Sequence, residues 1–163
     1  MQALRIIILV ALYWLAGATR APEDWIGKSA PDFSLETISG GGKISLKDFR
    51  GKVVLLDFWA SWCAPCKRSL PELEKLESRY SGLKVLTVNI DDDRKKAREF
   101  MRRIQLDLTV LYDAGKTVAG TYELEAMPSA LIIDQKGVIR HVAAGYTEKD
   151  LENIEAEIKS LLP

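Results

Sequence analysis

Two cysteines, Cys63 and Cys66, stand two residues apart in the run Trp62-Cys63-Ala64-Pro65-Cys66, and the chain has no others. That spacing is the layout of a redox-active dithiol, a pair that can exchange two electrons with a second disulfide. A mixed disulfide formed by Cys63 with another protein can be resolved by Cys66 within the same molecule. Chemistry of this kind needs a thiolate near neutral pH. The residues before the pair, Val53 to Trp59, are rich in β-branched and aromatic types, whereas Leu70, Leu73, Leu76 and Tyr80 after it recur at helical spacing. Cys63 is therefore expected at a helix N-terminus, where the macrodipole and free backbone N–H groups favour the thiolate.

Other uses of the two cysteines fit less well. A bridge between residues so close in sequence braces only a very short loop and stabilises little. A structural zinc site needs about four ligands, and the chain adds one histidine, His141, 75 residues beyond Cys66. A copper carrier needs a His or Met close to the pair, and the sequence places neither there. No metal and no organic cofactor is called for.

The elements that must hold the dithiol can be traced outward from it. Val53 to Trp59 is almost continuously apolar, which predicts a strand buried on both faces and helices on both sides of a sheet. Pro71 lies inside the helix that follows the cysteines and should kink it. Leu83 to Val88 reads as the next strand, parallel to the first because a helix joins them. Upstream, Phe33 and Leu35 alternate with polar neighbours, Gly40-Gly41-Gly42 offers a turn, and Ile44 and Leu46 alternate again, predicting a hairpin. Leu46 to Phe49 reads as a short helical turn. Downstream, Asp91-Asp92-Asp93 starts a helix whose apolar stripe is Ala97, Phe100, Met101 and Ile104. Its other face, Arg94, Lys95, Lys96, Arg98, Arg102 and Arg103, reads as solvated. A short strand over Leu108 to Leu111, a short helix over Lys116 to Tyr122, strands over Ala130 to Asp134 and Val138 to Ala143, and a last helix capped by Thr147 complete the order. This ββ-βαβα-β-α-ββα order predicts a three-layer α/β domain around a mixed sheet.

Length and composition agree with one such domain and a short appendage: 163 residues, 47% hydrophobic. Charge is balanced at 23 basic against 23 acidic residues, which leaves no net field to recruit nucleic acid. Residues 1–18 read differently from the rest, with Arg5, an apolar stretch from Ile6 to Leu15, and the small residues Ala16-Gly17-Ala18. They read as a cleaved export signal or a retained N-terminal membrane anchor, the apolar stretch being shorter than the roughly 20 residues of a comfortable span. Residues 19–26 read as a linker and 27–163 as the domain. Export places the protein in a periplasmic or other extracytoplasmic compartment.

Three stretches carry a resemblance to the thioredoxin superfamily, and within it to the exported TlpA/ResA-like thiol-disulfide oxidoreductases. They are Gly27 to Phe33 at the domain start, Gly51 to Cys66 through the dithiol, and Met127-Pro128-Ser129 before the late strand. The resemblance implies a thioredoxin-like fold, Cys63 as attacking nucleophile and Cys66 as resolving cysteine. It implies that Pro128 is the superfamily's cis-proline, lying opposite the dithiol where the backbone of Met127 pairs with an extended client. Asp57, six residues before Cys63, falls where thioredoxins keep a buried acid. In an apolar strand its pKa should be raised, and it is suited to take the proton from Cys66. Trp62 is expected to form part of an apolar client platform. The chain departs from many such relatives at Ser69, where they carry a glutamate, and at Ser129, where threonine is common.

These residues point to an exported oxidoreductase that reduces disulfides in client proteins, with apocytochromes c as a candidate client, and that is re-reduced by a membrane thiol-disulfide donor. Two other readings compete. A peroxiredoxin-like peroxidase resembles a Pro…Thr…Cys arrangement, yet Leu56 and Ala60 stand seven and three residues before Cys63. A redox-inert module or chaperone would hold unfolded chains on the Trp62 and Met127 surface and leave the cysteines idle.

Overall fold

The structure is a computed structural model that describes residues 22–163. Residues 1–18, read as signal or anchor, and the first three linker residues, 19–21, lie outside the described residues.

The hairpin forms as expected: β1 (Ser34–Thr37) pairs antiparallel with β2 (Lys43–Ser45). Gly40 and Gly42 make the reversal with φ of 83° and 118°, a region that side chains disfavour. A 3₁₀ turn over Leu46–Phe49 leads into β3 (Val53–Trp59), all seven residues of which are buried. Helix α1 (Cys66–Arg79) carries the chain to β4 (Leu83–Asn89), which runs parallel to β3 in register from Val53↔Leu83 to Trp59↔Asn89. Helix α2 (Arg94–Ile104) begins where the Asp93 carboxylate accepts the Lys95 N–H at 2.8 Å. Strand β5 (Thr109–Tyr112), the short helix α3 (Thr117–Thr121), β6 (Ser129–Ile133), β7 (Ile139–Ala144) and α4 (Glu148–Leu161) follow. Thr147 caps α4 by accepting the Asp150 N–H.

The seven strands lie in the order β2-β1-β5-β4-β3-β6-β7, with β3, β4 and β5 parallel and the other pairings antiparallel. Alternation along β3 sends Val53 and Leu55 to one face, against Leu73 and Leu76 of α1 and Ile154 and Ile158 of α4. Val54, Leu56 and Phe58 face the other way, toward Ala97 and Phe100 of α2. The three layers are thus helices, mixed sheet, helices.

Three details differ from, or add to, what periodicity predicts. Helix α1 starts at Cys66, so Cys63 sits in the turn before it, with its N–H donating to the Ala60 carbonyl at 3.1 Å. The helix then continues through Pro71 as one element, the proline withholding a donor from the Lys67 carbonyl. The basic face of α2 is partly occupied. Arg94 pairs with Glu36 at 2.7 Å and lies over the Tyr112 ring, and Arg98 Nε donates to the Ile38 carbonyl at 2.6 Å. Lys95, Lys96, Arg102 and Arg103 are exposed.

Trp25, in the stretch read as linker, is buried on the α2 side of the sheet. It packs on Tyr122 with ring centroids 5.8 Å apart, and Tyr122 in turn meets Phe33 and Phe58. The Tyr122 hydroxyl donates to the Pro31 carbonyl at 2.7 Å, and burial pushes its pKa upward. Residues 27–30 then run beside β7: Gly27 N–H donates to Ile139, Ile139 N–H to Lys28, and Ala30 N–H to Gly137.

Candidate active site

Strand β3 ends at Trp59 and the chain leaves the sheet through Ala60 to Pro65, which brings both cysteines to the head of α1. Cys63 and Cys66 are joined as a disulfide with their Cα atoms 5.3 Å apart. The backbone N–H of Cys66, the first residue of α1, donates to Cys63 Sγ at 3.2 Å. Cys63 thus meets the N-terminal end of the helix from just outside it, one turn earlier than a place within the helix would put it. Cys63 is 4% exposed and Cys66 fully buried, while Trp62 beside them is 65% exposed.

Pairing of Phe58 with Ser129 sets the start of β6 beside the end of β3. The Met127–Pro128 peptide bond, which is cis, is thereby carried to the dithiol end of the sheet. Pro128 is buried, and its carbonyl accepts the Gly145 N–H at 2.7 Å. Ser129 Oγ donates to the Ala126 carbonyl at 2.7 Å. Met127 is half-buried against the cluster that contains both cysteines. Beside it lies an open groove of about 520 Å³, lined by Ile90, Ala119, Leu124, Ala126, Met127 and Lys116 among others.

Asp57 sits in the middle sheet between Thr87 of β4 and Ala130 of β6, 1% exposed. By alternation it shares the α1 face with Val53 and Leu55. Its Oδ2 has no hydrogen-bond partner among the described residues, and the neighbouring Thr87 hydroxyl is committed to the Thr109 carbonyl at 3.2 Å. Burial without a cation to offset it raises the Asp57 pKa well above the usual carboxylate range. Ser69 is buried, and its hydroxyl donates back to the Cys66 carbonyl at 3.3 Å. Trp59 packs on Phe100, with centroids 5.1 Å apart. His141 lies in β7 opposite Ile132, away from the cysteines. Among the described residues no cluster of His, Cys, Asp and Glu could hold a metal, and no helix is long and apolar enough to cross a membrane.

One residue of the site escapes a reading by motif. Asp91, taken above as part of a helix start, is buried and turns its carboxylate to Ser61, two residues before Cys63. The three consecutive aspartates conceal this, because Asp93 alone caps α2.

Residues 26–142 match the AhpC/TSA family. Thioredoxin-like protein YneN of Bacillus subtilis is 41% identical over 77% of this chain and 76% of its own length. Thiol-disulfide oxidoreductase ResA of Bacillus anthracis is 31% identical over 98% of this chain and 95% of its own. A crystal structure from Chlorobium tepidum, described as a thiol:disulfide interchange protein DsbE, superposes with a TM-score of 0.81 at 34% identity. It covers 85% of this chain and 98% of that one. The match to the family spans most of the chain, and ResA and the DsbE structure are both named for one chemistry, the one a closed cysteine pair at a helix head performs: the chain belongs to the thioredoxin-like AhpC/TSA family and is a thiol-disulfide oxidoreductase.

Proposed function

We propose that this oxidoreductase works as an exported reductant of client-protein disulfides, apocytochromes c among the clients, and is recharged by a membrane thiol-disulfide donor. The observation that carries the reading is the Cys66 N–H aimed at Cys63 Sγ, with Cys63 the less buried residue of the pair. Cys63 thiolate attacks one client sulfur, forming a mixed disulfide and releasing the other client sulfur as a thiolate that takes a proton from water. Cys66 then gives its proton to Asp57, and its thiolate attacks Cys63 Sγ. The second client sulfur leaves with the bonding pair, is protonated in turn, and the Cys63–Cys66 disulfide remains. Burial of Asp57 supports this role, because raising a carboxylate's proton affinity brings it closer to that of a thiol. Donation of two electrons and two protons by the membrane donor restores the dithiol.

In this reading Met127 and Pro128 offer backbone and apolar surface to an extended client segment, and the exposed Trp62 ring covers it from the other side. Residues 1–18 deliver the chain across the membrane, whether cleaved or kept as an anchor. The deciding experiment is the equilibrium reduction potential of the Cys63/Cys66 couple, with a Cys63→Ser variant in parallel. A value near about −270 mV supports a reductant, and one near about −120 mV reverses the direction to disulfide formation. Complete loss of client reduction in Cys63→Ser is expected; full retention of biological function would favour the redox-inert binding module.

A further inference from the structure

We infer that Asp91 is a positioning residue for the dithiol: its buried carboxylate fixes the turn that carries Cys63 and so sets how readily Cys63 and Cys66 close on each other. The geometry follows from register. Strands β3 and β4 end together at Trp59↔Asn89, and the Ile90 N–H extends the ladder by one bond to the Trp59 carbonyl at 3.0 Å. Two residues past each strand end, Ser61 and Asp91 meet. The Ser61 N–H is shared between Asp91 Oδ1 at 3.2 Å and Oδ2 at 3.0 Å, and the Ser61 hydroxyl donates to Oδ1 at 3.0 Å. Asn89 Nδ2 donates to Oδ2 at 2.9 Å while Asn89 Oδ1 accepts the Asp91 N–H at 3.1 Å, a reciprocal ring. Asp91 is 1% exposed and Asn89 fully buried.

A carboxylate removed from water is costly unless donors surround it, so the Ser61 N–H, the Ser61 hydroxyl and the Asn89 amide are held to it firmly. Two of these donors belong to Ser61, and the turn from Ala60 to Cys63 is closed on its own bond at 3.1 Å. In the oxidised protein the disulfide itself holds Cys63 in place. Once that bond is reduced, or replaced by a bond to a client, the Asp91 contacts keep Cys63 Sγ within reach of Cys66. They act as a local effective concentration for ring closure. Removing these contacts therefore shifts the balance toward the reduced form.

The inference rests on Cys63 and Cys66 being the reacting couple, and the test separates the two ideas. Asp91→Asn preserves size and one acceptor oxygen while removing the charge. It should lower the equilibrium constant for forming the Cys63–Cys66 disulfide about tenfold, which is a potential about 30 mV less negative. Resolution should slow in parallel: with a client held on Cys63, attack by Cys66 on Cys63 Sγ and expulsion of the client thiolate should fall about tenfold in rate. Ser61→Ala, which loses the hydroxyl but keeps the N–H, should move both readouts the same way by less. It also answers the question if Asp91→Asn does not fold. A folded Asp91→Asn, or failing that Ser61→Ala, with unchanged potential and unchanged resolution rate overturns the inference, whatever its melting temperature. Absence of any disulfide exchange by the unsubstituted protein would instead remove the functional reading beneath it.

Discussion

Asp57 gains nothing electrostatically from its place in β3: the strand buries it, and no cation offsets that burial. Between its unfolded and folded pKa values such a carboxyl holds its proton in the native state while the unfolded chain has already released it, and above the folded pKa it is the ionised base that can accept a proton from Cys66. Its contribution to stability is therefore complete below the unfolded pKa of about 4 and is lost as pH rises from there through the folded pKa. The loss proceeds at up to about 1.4 kcal/mol per pH unit. Asp57→Asn should remove this slope, leaving the variant more stable than the parent at pH 8 but not at pH 4 in urea titrations. Turnover by the same variant should fall about tenfold or more, with alkylation of Cys63 intact. A parent-like pH slope in the variant would assign the dependence elsewhere, and parent-like turnover would remove Asp57 from the proton path.

Elements show the same bookkeeping with the opposite sign where α4 meets the end of α1. Glu155 on α4 accepts from the Tyr80 hydroxyl at 2.7 Å, pairs with Lys159 at 3.1 Å, and takes Arg79 Nη1 at 2.7 Å, which together draw its pKa down to about 2. A depressed carboxylate stabilises above its unfolded pKa and loses that contribution as pH falls toward 2. Glu155→Gln should cost about 1 kcal/mol at pH 7 and almost nothing at pH 2, read from denaturant midpoints. Most elements were legible from the chain because the signals are local: the unbroken apolar run of β3, the Asp93 and Thr147 caps, the glycines of the first hairpin. The head of α1 was not. Helical spacing from Leu70 backward does not reveal that Ala60 to Pro65 is a turn, since its shape depends on a carboxylate contributed from beyond β4. Trp25 escaped for a related reason, its partners Tyr122, Phe33 and Phe58 being spread along the sequence.

For the molecule as a whole, the redox couple and the fold are thermodynamically linked. A reductant is a protein whose disulfide form is the more stable one, whereas an oxidant is one whose reduced form is stabilised. The oxidised protein should accordingly melt higher than the dithiol form by about 2–4 °C for each kcal/mol of that preference. Calorimetry with and without reductant measures it, and a higher melting point for the dithiol form would contradict the proposed direction. The run Gly27 to Ala30, bonded to the chain that enters β7, has a consequence of another kind. Strand β7 ends the sheet, and bare N–H and C=O groups at such a border invite a strand from a neighbouring molecule. By lying over Gly137 to Ile139, the approach to the domain takes up the backbone groups where that border begins. A protease that trimmed the chain past Lys28 would leave the dithiol untouched and yet yield a protein prone to stick to its own copies.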